Sequence, residues 1–237
     1  MVYSADRPIN NSEQDLLGRS SFSKQLAKGI LEYHGSDGLV IGLFGKWGTG
    51  KTSILNMAID ELERMGSNRD NKPLVTRFSP WNYSDKNDLI GIFFRNLMKT
   101  INLKGNDEFK NKVGEALRDY SGVLDLLELI PGTGSTFATI AKNTAQAQGK
   151  KLMKGDDLDE TRRKLADALR AVGKKIIVTI DDIDRLTNSQ IRDIFQLVKQ
   201  VGDFPNIIYI LAMDRDVVRG ALAEVHNFDG NEYLEKI

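Results

Sequence analysis

Gly45-Lys46-Trp47-Gly48-Thr49-Gly50-Lys51-Thr52 decides the reading of this chain. The octet has the pattern G-x-x-x-x-G-K-T. An apolar run, Leu39-Val40-Ile41-Gly42-Leu43-Phe44, precedes it, and Ser53-Ile54-Leu55-Asn56-Met57-Ala58-Ile59 follows with helical apolar spacing. Strand, glycine-rich loop and helix form the context this pattern needs before it carries meaning. Glycines let backbone N–H groups turn inward around a chain of phosphates, and the helix N-terminus adds partial positive charge. Gly45, Lys46, Trp47, Gly48, Thr49, Gly50, Lys51, Thr52 and Ser53 are therefore the expected cradle for a nucleoside triphosphate. Lys51 is directed at the β- and γ-phosphates, and the Thr52 hydroxyl is a ligand of Mg²⁺.

A second segment extends binding toward hydrolysis. Ile176-Ile177-Val178-Thr179-Ile180 is a β-branched run ending in Asp181-Asp182. Such a run reads as a buried strand of a parallel sheet, and α/β sheets hold their ligands at the C-terminal ends of strands. Asp181 is expected to hold the magnesium through water, and Asp182 is placed to polarise an attacking water as general base. Arg185 has two readings. It pairs with Asp184 or Asp182 and orders the loop, or it serves a neighbouring subunit as an arginine finger, with Arg215 and Arg219 as competitors.

Composition bounds the remaining classes. The chain has 237 residues, enough for one large α/β domain or a domain with an insertion. Lysine plus arginine and aspartate plus glutamate number 33 each, so no global basic charge signals nucleic acid. There is no cysteine, which excludes disulfides and thiolate zinc sites and suits a reducing cytoplasm. The first residues, Met1 to Pro8, have no apolar core of a signal peptide. Ser121 to Ala141 is apolar but broken by Asp125, Glu128, Pro131, Gly132 and Gly134, so it falls short of the ~20 apolar residues of a span. It reads as a short amphipathic or hairpin-like packing element.

Around these motifs the elements alternate. Phe22, Leu26, Ile30 and Leu31 are spaced for an amphipathic helix. Leu74–Phe78 reads as a second strand, and Leu89, Ile92, Phe93, Leu97 and Met98 mark a helix. Thr187-Asn188-Ser189-Gln190 resembles a capping box before the helical face Ile191, Ile194, Phe195, Val198 and Val201. Ile207–Ala212 is a further buried strand. The expected fold is α/β, a mostly parallel central sheet flanked by helices. Lys51 and Asp181 lie further apart than a compact core requires, so residues about 105–173 are expected to be largely a helical insertion between the two motifs.

A strand with a polar exit after the Asp181-Asp182 helix looks like that of the additional-strand ATPases, in which it lies between the other two. That resemblance puts Asp214 in the sensor position near the γ-phosphate. More narrowly, the chain resembles the KAP family of P-loop NTPases. The likeness is carried by Asp15-Leu16-Leu17-Gly18-Arg19 with Phe22, by the phosphate loop with its tryptophan, by Phe78-Ser79-Pro80-Trp81-Asn82-Tyr83, by Asp181-Asp182-Ile183-Asp184-Arg185-Leu186, and by Glu232-Tyr233-Leu234-Glu235-Lys236-Ile237. It spans residues 1–237 apart from the middle insertion. It implies ATP and Mg²⁺ as ligands, and an adenine contact through backbone groups around Gly18-Arg19. It also implies a switching or assembling ATPase, in bacterial phage defence or signalling, whose partners are further copies of the chain or an effector protein. Two departures stand out. Many relatives carry transmembrane helices between the two Walker motifs, where this chain has Ser121–Ala141, and relatives continue past the Tyr-Leu-Glu-Lys segment. The expectation is a soluble member whose domain lacks its C-terminal part.

Trp47 either stacks on a base or ribose or covers the loop from outside. Trp81 and Tyr83 either pack structurally or position water or a partner. Three other functions compete with an ATPase: a nucleotide-gated interaction module with little or no turnover, a small-molecule kinase, and a nucleic-acid translocase. No arginine-bearing lid favours the kinase, and net neutrality argues against strong nonspecific phosphate binding. The absence of an Asn-Lys-x-Asp signature favours ATP over GTP.

Overall fold

The computed structural model describes residues 7–35, 37–66, 72–83, 89–126, 155–201 and 203–223. Its centre is a four-stranded parallel sheet of β1 (Leu39–Phe44), β2 (Leu74–Phe78), β3 (Ile176–Ile180) and β4 (Ile207–Met213), in the order β1-β4-β3-β2. Every residue of β3 and β4 is buried. Strands covered on both faces are unbroken apolar runs because neither side chain direction meets water. β4 lies between β1 and β3, as the additional-strand resemblance implies.

Successive side chains alternate across the sheet. Ile177, Ile208, Ile210 and Ala212 face one layer, built from α1 (Ser20–Glu32) and α2 (Lys51–Gly66). Ile176, Val178, Ile180, Tyr209 and Leu211 face the other. That layer contains α3 (Leu89–Lys104), α4 (Glu115–Leu126), α5 (Gly155–Val172), α6 (Asn188–Val201) and α7 (Arg215–Ala223). Edge-to-face ring pairs run from Phe78 through Phe93 and Phe94 to Tyr120 and Phe204, tying β2 to α3 and α4.

Strands β1 to β3 have the bounds the sequence suggests, and β4 runs one residue further, to Met213. The capping box at the start of α6 is reciprocal. The Gln190 amide donates to Thr187 Oγ1 (3.4 Å), and the Thr187 amide donates to Gln190 Oε1 (3.2 Å). Helix α1 departs from its expected face at one position: Ile30 is buried and Leu26 and Leu31 pack against the core, but Phe22 is half exposed, and Ser23 and Ala27 are buried in addition. Small residues there let α1 approach α2 closely, and the Ser23 hydroxyl donates to the Ile54 carbonyl (3.3 Å).

Helix α7 begins directly at the polar exit of β4, where the sequence gives no helix signal. In the 105–173 interval the described residues are helical: a turn at Asp107–Phe109, a π-helical turn at Lys110–Gly114, then α4 and α5. Among the described residues no helix is long and apolar enough to cross a membrane. Most of the Ser121–Ala141 stretch and the closing Glu232–Ile237 segment lie outside the described residues.

Ile210 is fully buried between the sheet and the α1–α2 layer. Ile210→Ala is expected to cost about 3 kcal/mol, the usual range for emptying such a site. Urea unfolding of the two proteins measures it, with an unchanged slope marking a pure stability loss.

Candidate nucleotide site

The register lines up the functional residues along the C-terminal edge of the sheet. Phe44 pairs with Met213, Ile180 with Leu211, and Phe78 with Ile180. The next residues are therefore Gly45 after β1, Asp214 after β4, Asp181 after β3 and Ser79 after β2. Two amides extend the ladder past the strands: Gly45 donates to the Met213 carbonyl (3.1 Å), and Asp181 to the Phe78 carbonyl (3.0 Å).

The phosphate loop is wound tightly between β1 and α2. Gly50 has φ +83°, and a Cβ there would come within 3.0 Å of Arg19 Nη1. A Cβ on Gly45 would meet Thr49 Oγ1 at 2.5 Å. Thr49 closes the turn through its amide (3.2 Å) and hydroxyl (2.7 Å), both donated to the Lys46 carbonyl. The first helical bond of α2 joins the Ile54 amide to the Gly50 carbonyl (3.0 Å). The amides of Lys51, Thr52 and Ser53 therefore precede the helical ladder and are the orphan donors a helix start presents. This is a cradle that fits a phosphate chain.

Arg19 lies against the loop and donates from Nη1 to the Thr49 carbonyl. The backbone around it is ordered by Asp15, whose carboxylate accepts the amides of Ser20 (2.7 Å) and Leu17 (3.1 Å). The Ser20 bond chiefly keeps the Asp15 carboxyl below the usual carboxylate range. The Ser53 hydroxyl accepts the Ile9 amide (3.3 Å), so that side chain anchors the N-terminal lead-in.

The two residues expected at the metal position, Thr52 and Asp181, lie together. The Thr52 hydroxyl is near enough to the Asp181 carboxylate to favour its charged form, the arrangement expected of two groups that would share an ion. Burial pushes the Asp181 carboxyl up, while Thr52 and the bond from the Asp182 amide (2.8 Å) pull the other way. These two residues fit Mg²⁺, which takes one or two protein ligands and completes its shell with phosphate oxygens and water.

Asp182 has left-handed backbone, φ 59° and ψ 29°, which costs an L-residue about 1–2 kcal/mol and is tolerated best by asparagine and aspartate. The kink turns the chain into a short 3₁₀ segment, Ile183–Arg185. Both carboxylate oxygens of Asp182 are engaged: Ser79 Oγ donates to Oδ2 (3.1 Å), and Arg185 Nε lies 2.7 Å from Oδ1. The Arg185 guanidinium also sits 5.2 Å from the centre of the Trp47 ring. Arg185 thus pairs with Asp182 rather than Asp184, and Trp47 is largely exposed with Arg185 against its ring.

Two partnerships are not legible in the sequence. One is Ser79 on Asp182. The other is Asp184, an alternative partner for Arg185 by sequence, whose Oδ2 lies 3.1 Å from Lys51 Nζ, both side chains nearly buried. The Asp182 kink brings it round to the lysine, and no spacing rule announces that.

Asp214 lies beside the loop at the end of β4, where its carboxylate accepts the Asp216 amide (3.0 Å) and starts α7. Of the other arginine-finger candidates, Arg215 lies over the Phe44 ring (5.6 Å) and Arg219 pairs with Asp216 (3.4 Å). Tyr83 stacks on Phe78 at 6.2 Å, and Trp81 is partly exposed.

A parallel sheet with an inserted β4, a glycine cradle at one strand end and paired aspartates at another define a P-loop domain. The KAP family P-loop domain matches residues 19–237, and the chain belongs to that family. It is similar to the phage T7 exclusion protein of Escherichia coli (strain K12), at 28% identity over 254 residues. The match takes in 98% of this chain and 33% of that protein, so the chain spans about a third of its relative's length. Among solved structures it is similar to the ORC2 protein of Aeropyrum pernix in ADPNP–ADP complexes, at a TM-score of 0.44 and 11% identity. That similarity covers 97% of this chain and 48% of the other, and it is too remote to bear on function.

The raised Asp181 carboxyl has a consequence for stability. Between the unfolded and folded pKa values the folded chain holds a proton that the unfolded chain has released. Folding is favoured below that interval and loses the contribution as pH rises through it. Asp181→Asn, neutral at every pH, is expected to raise the melting temperature of the ligand-free protein by a few degrees at neutral pH. The gain should fade as pH falls toward about 4, the ordinary aspartate range, in a melting series across pH.

Proposed function

We propose that the chain is a Mg²⁺-dependent ATPase that couples nucleotide state to conformational switching or assembly. The observation that carries this reading is the convergence of Lys51, Thr52, Asp181 and Asp182 at neighbouring strand ends, across a loop whose amides face a phosphate position. Lys51 would meet the β- and γ-phosphates, and Thr52 and Asp181 would hold Mg²⁺, which offsets charge on the phosphate oxygens. Asp182 would accept a proton from water as the water oxygen bonds to the γ-phosphorus and the bond to ADP breaks. Each of its two oxygens has one partner, Ser79 or Arg185, and keeps acceptor capacity for that water. Asp214, at the end of β4, would then face the γ-phosphate side, and Arg19 would sit near the base.

A role in phage defence is proposed from the name of the similar exclusion protein. A helical insertion over residues about 105–173, and partners that are further copies of the chain or an effector protein, belong to the same proposal. The lack of cysteine suits a cytoplasmic setting.

A second reading, a nucleotide-gated module with little turnover, is favoured by one observation: both oxygens of Asp182 are already engaged.

Phosphate release from ATP, followed with and without Mg²⁺ over a range of protein concentrations, separates the two. An ATPase gives Mg²⁺-dependent turnover that Asp182→Asn lowers about 10²- to 10⁴-fold while ATP binding persists. Specific activity that climbs with concentration marks assembly. ATP binding without turnover at any concentration sinks the ATPase reading in favour of the gated module.

A further inference from the structure

The lysine of the phosphate loop has no free donor. An ammonium offers three N–H groups, and Lys51 Nζ lies 2.8 Å from the Gly45 carbonyl, 3.4 Å from the Lys46 carbonyl and 3.1 Å from Asp184 Oδ2. The two carbonyls belong to the loop itself. Asp184 does not; it is the one charged group of the three, and its side chain is 11% exposed against 10% for Lys51. A phosphate oxygen that took this lysine beside the carboxylate would set two anions on one cation at short range with little water between them, a repulsion that favours exchange.

We propose that Asp184 is an exchangeable counter-ion, a positioning residue that holds Lys51 until a phosphate displaces it and that thereby reports the nucleotide to the turn at Ile183–Arg185. This deepens the nucleotide reading above and rests on it. The turn is pinned in the core by Ile183 and Leu186, so release of Asp184 is felt locally, at the adjacent Arg185. Arg185 holds Asp182 Oδ1 and lies over Trp47. Displacing Asp184 therefore bears on whether Asp182 is free to accept a proton. One exchange of partners at Lys51 links phosphate arrival to the water-activating carboxylate and to the tryptophan on the loop. The structural alternative is that Asp184 merely braces the loop, in which case removing its charge weakens the site.

The two roles predict opposite signs. Calorimetric titration with ATP, ADP and AMP compares wild type with Asp184→Asn, Asp184→Ala and Asp184→Glu, and melting of the ligand-free proteins checks folding. As a counter-ion, Asp184→Asn tightens ATP and ADP by about tenfold or more, since a like-charge contact has been removed. It leaves AMP unchanged, because AMP has no phosphate at Lys51, and Asp184→Glu keeps wild-type affinity. Asp184→Ala follows Asp184→Asn and keeps the comparison available should one of the two fail to fold. ATP affinity that is equal or weaker in a folded Asn or Ala variant overturns the counter-ion role while leaving the nucleotide reading intact. If wild type and variants alike ignore ATP and ADP, the nucleotide reading fails and the counter-ion role goes with it.

Discussion

The parallel pairing of β4 between β1 and β3 is the constraint on which the site depends. It brings two strands far apart in sequence, Leu39–Phe44 and Ile176–Ile180, to either side of one fully buried strand. The pairing is driven by burial: β3 and β4 present apolar side chains to both layers, and neither face can be left in water. Once they pair, the register fixes which residues emerge at the open end. The Gly45 amide bonded to the Met213 carbonyl shows the phosphate loop beginning as a continuation of that ladder.

The site built on this edge consists of charges held in check by one another. Lys51 is occupied by Asp184, Asp182 by Arg185 and Ser79, and Asp181 by Thr52. Each pair is satisfied without a ligand, as buried polar groups must be. The left-handed backbone at Asp182 is the local strain that makes this arrangement compact, because it turns Asp184 toward the loop and Arg185 back to Asp182.

The fold was largely legible because its strongest signals are local and periodic. The runs at Leu39, Leu74, Ile176 and Ile207 are rich in β-branched or apolar residues and bounded by polar turns, and all four became strands. Helix α7 was not legible: nine residues with a narrow apolar face give little to distinguish a helix from a polar exit. In the site, Lys51, Thr52 and Asp181 follow from motif chemistry. The partners of Arg185 and Lys51 do not, because sequence leaves Asp182 and Asp184 equivalent until a single φ angle separates them. Phe22 misled because an aromatic at helical spacing looks like core. Serine and alanine won the interface by letting two helices approach closely.

The central claim is that the loop at Gly45–Thr52 is a nucleoside triphosphate site, and equilibrium binding tests it most directly. Calorimetric titration of ATP with Mg²⁺ should be run against wild type and Lys51→Ala, with GTP in parallel. The result expected is one-site binding of ATP that is lost or strongly weakened in a folded Lys51→Ala variant, with GTP the poorer ligand. Folded wild-type protein that takes up neither nucleotide, or a Lys51→Ala variant that binds ATP as well as wild type, would contradict it.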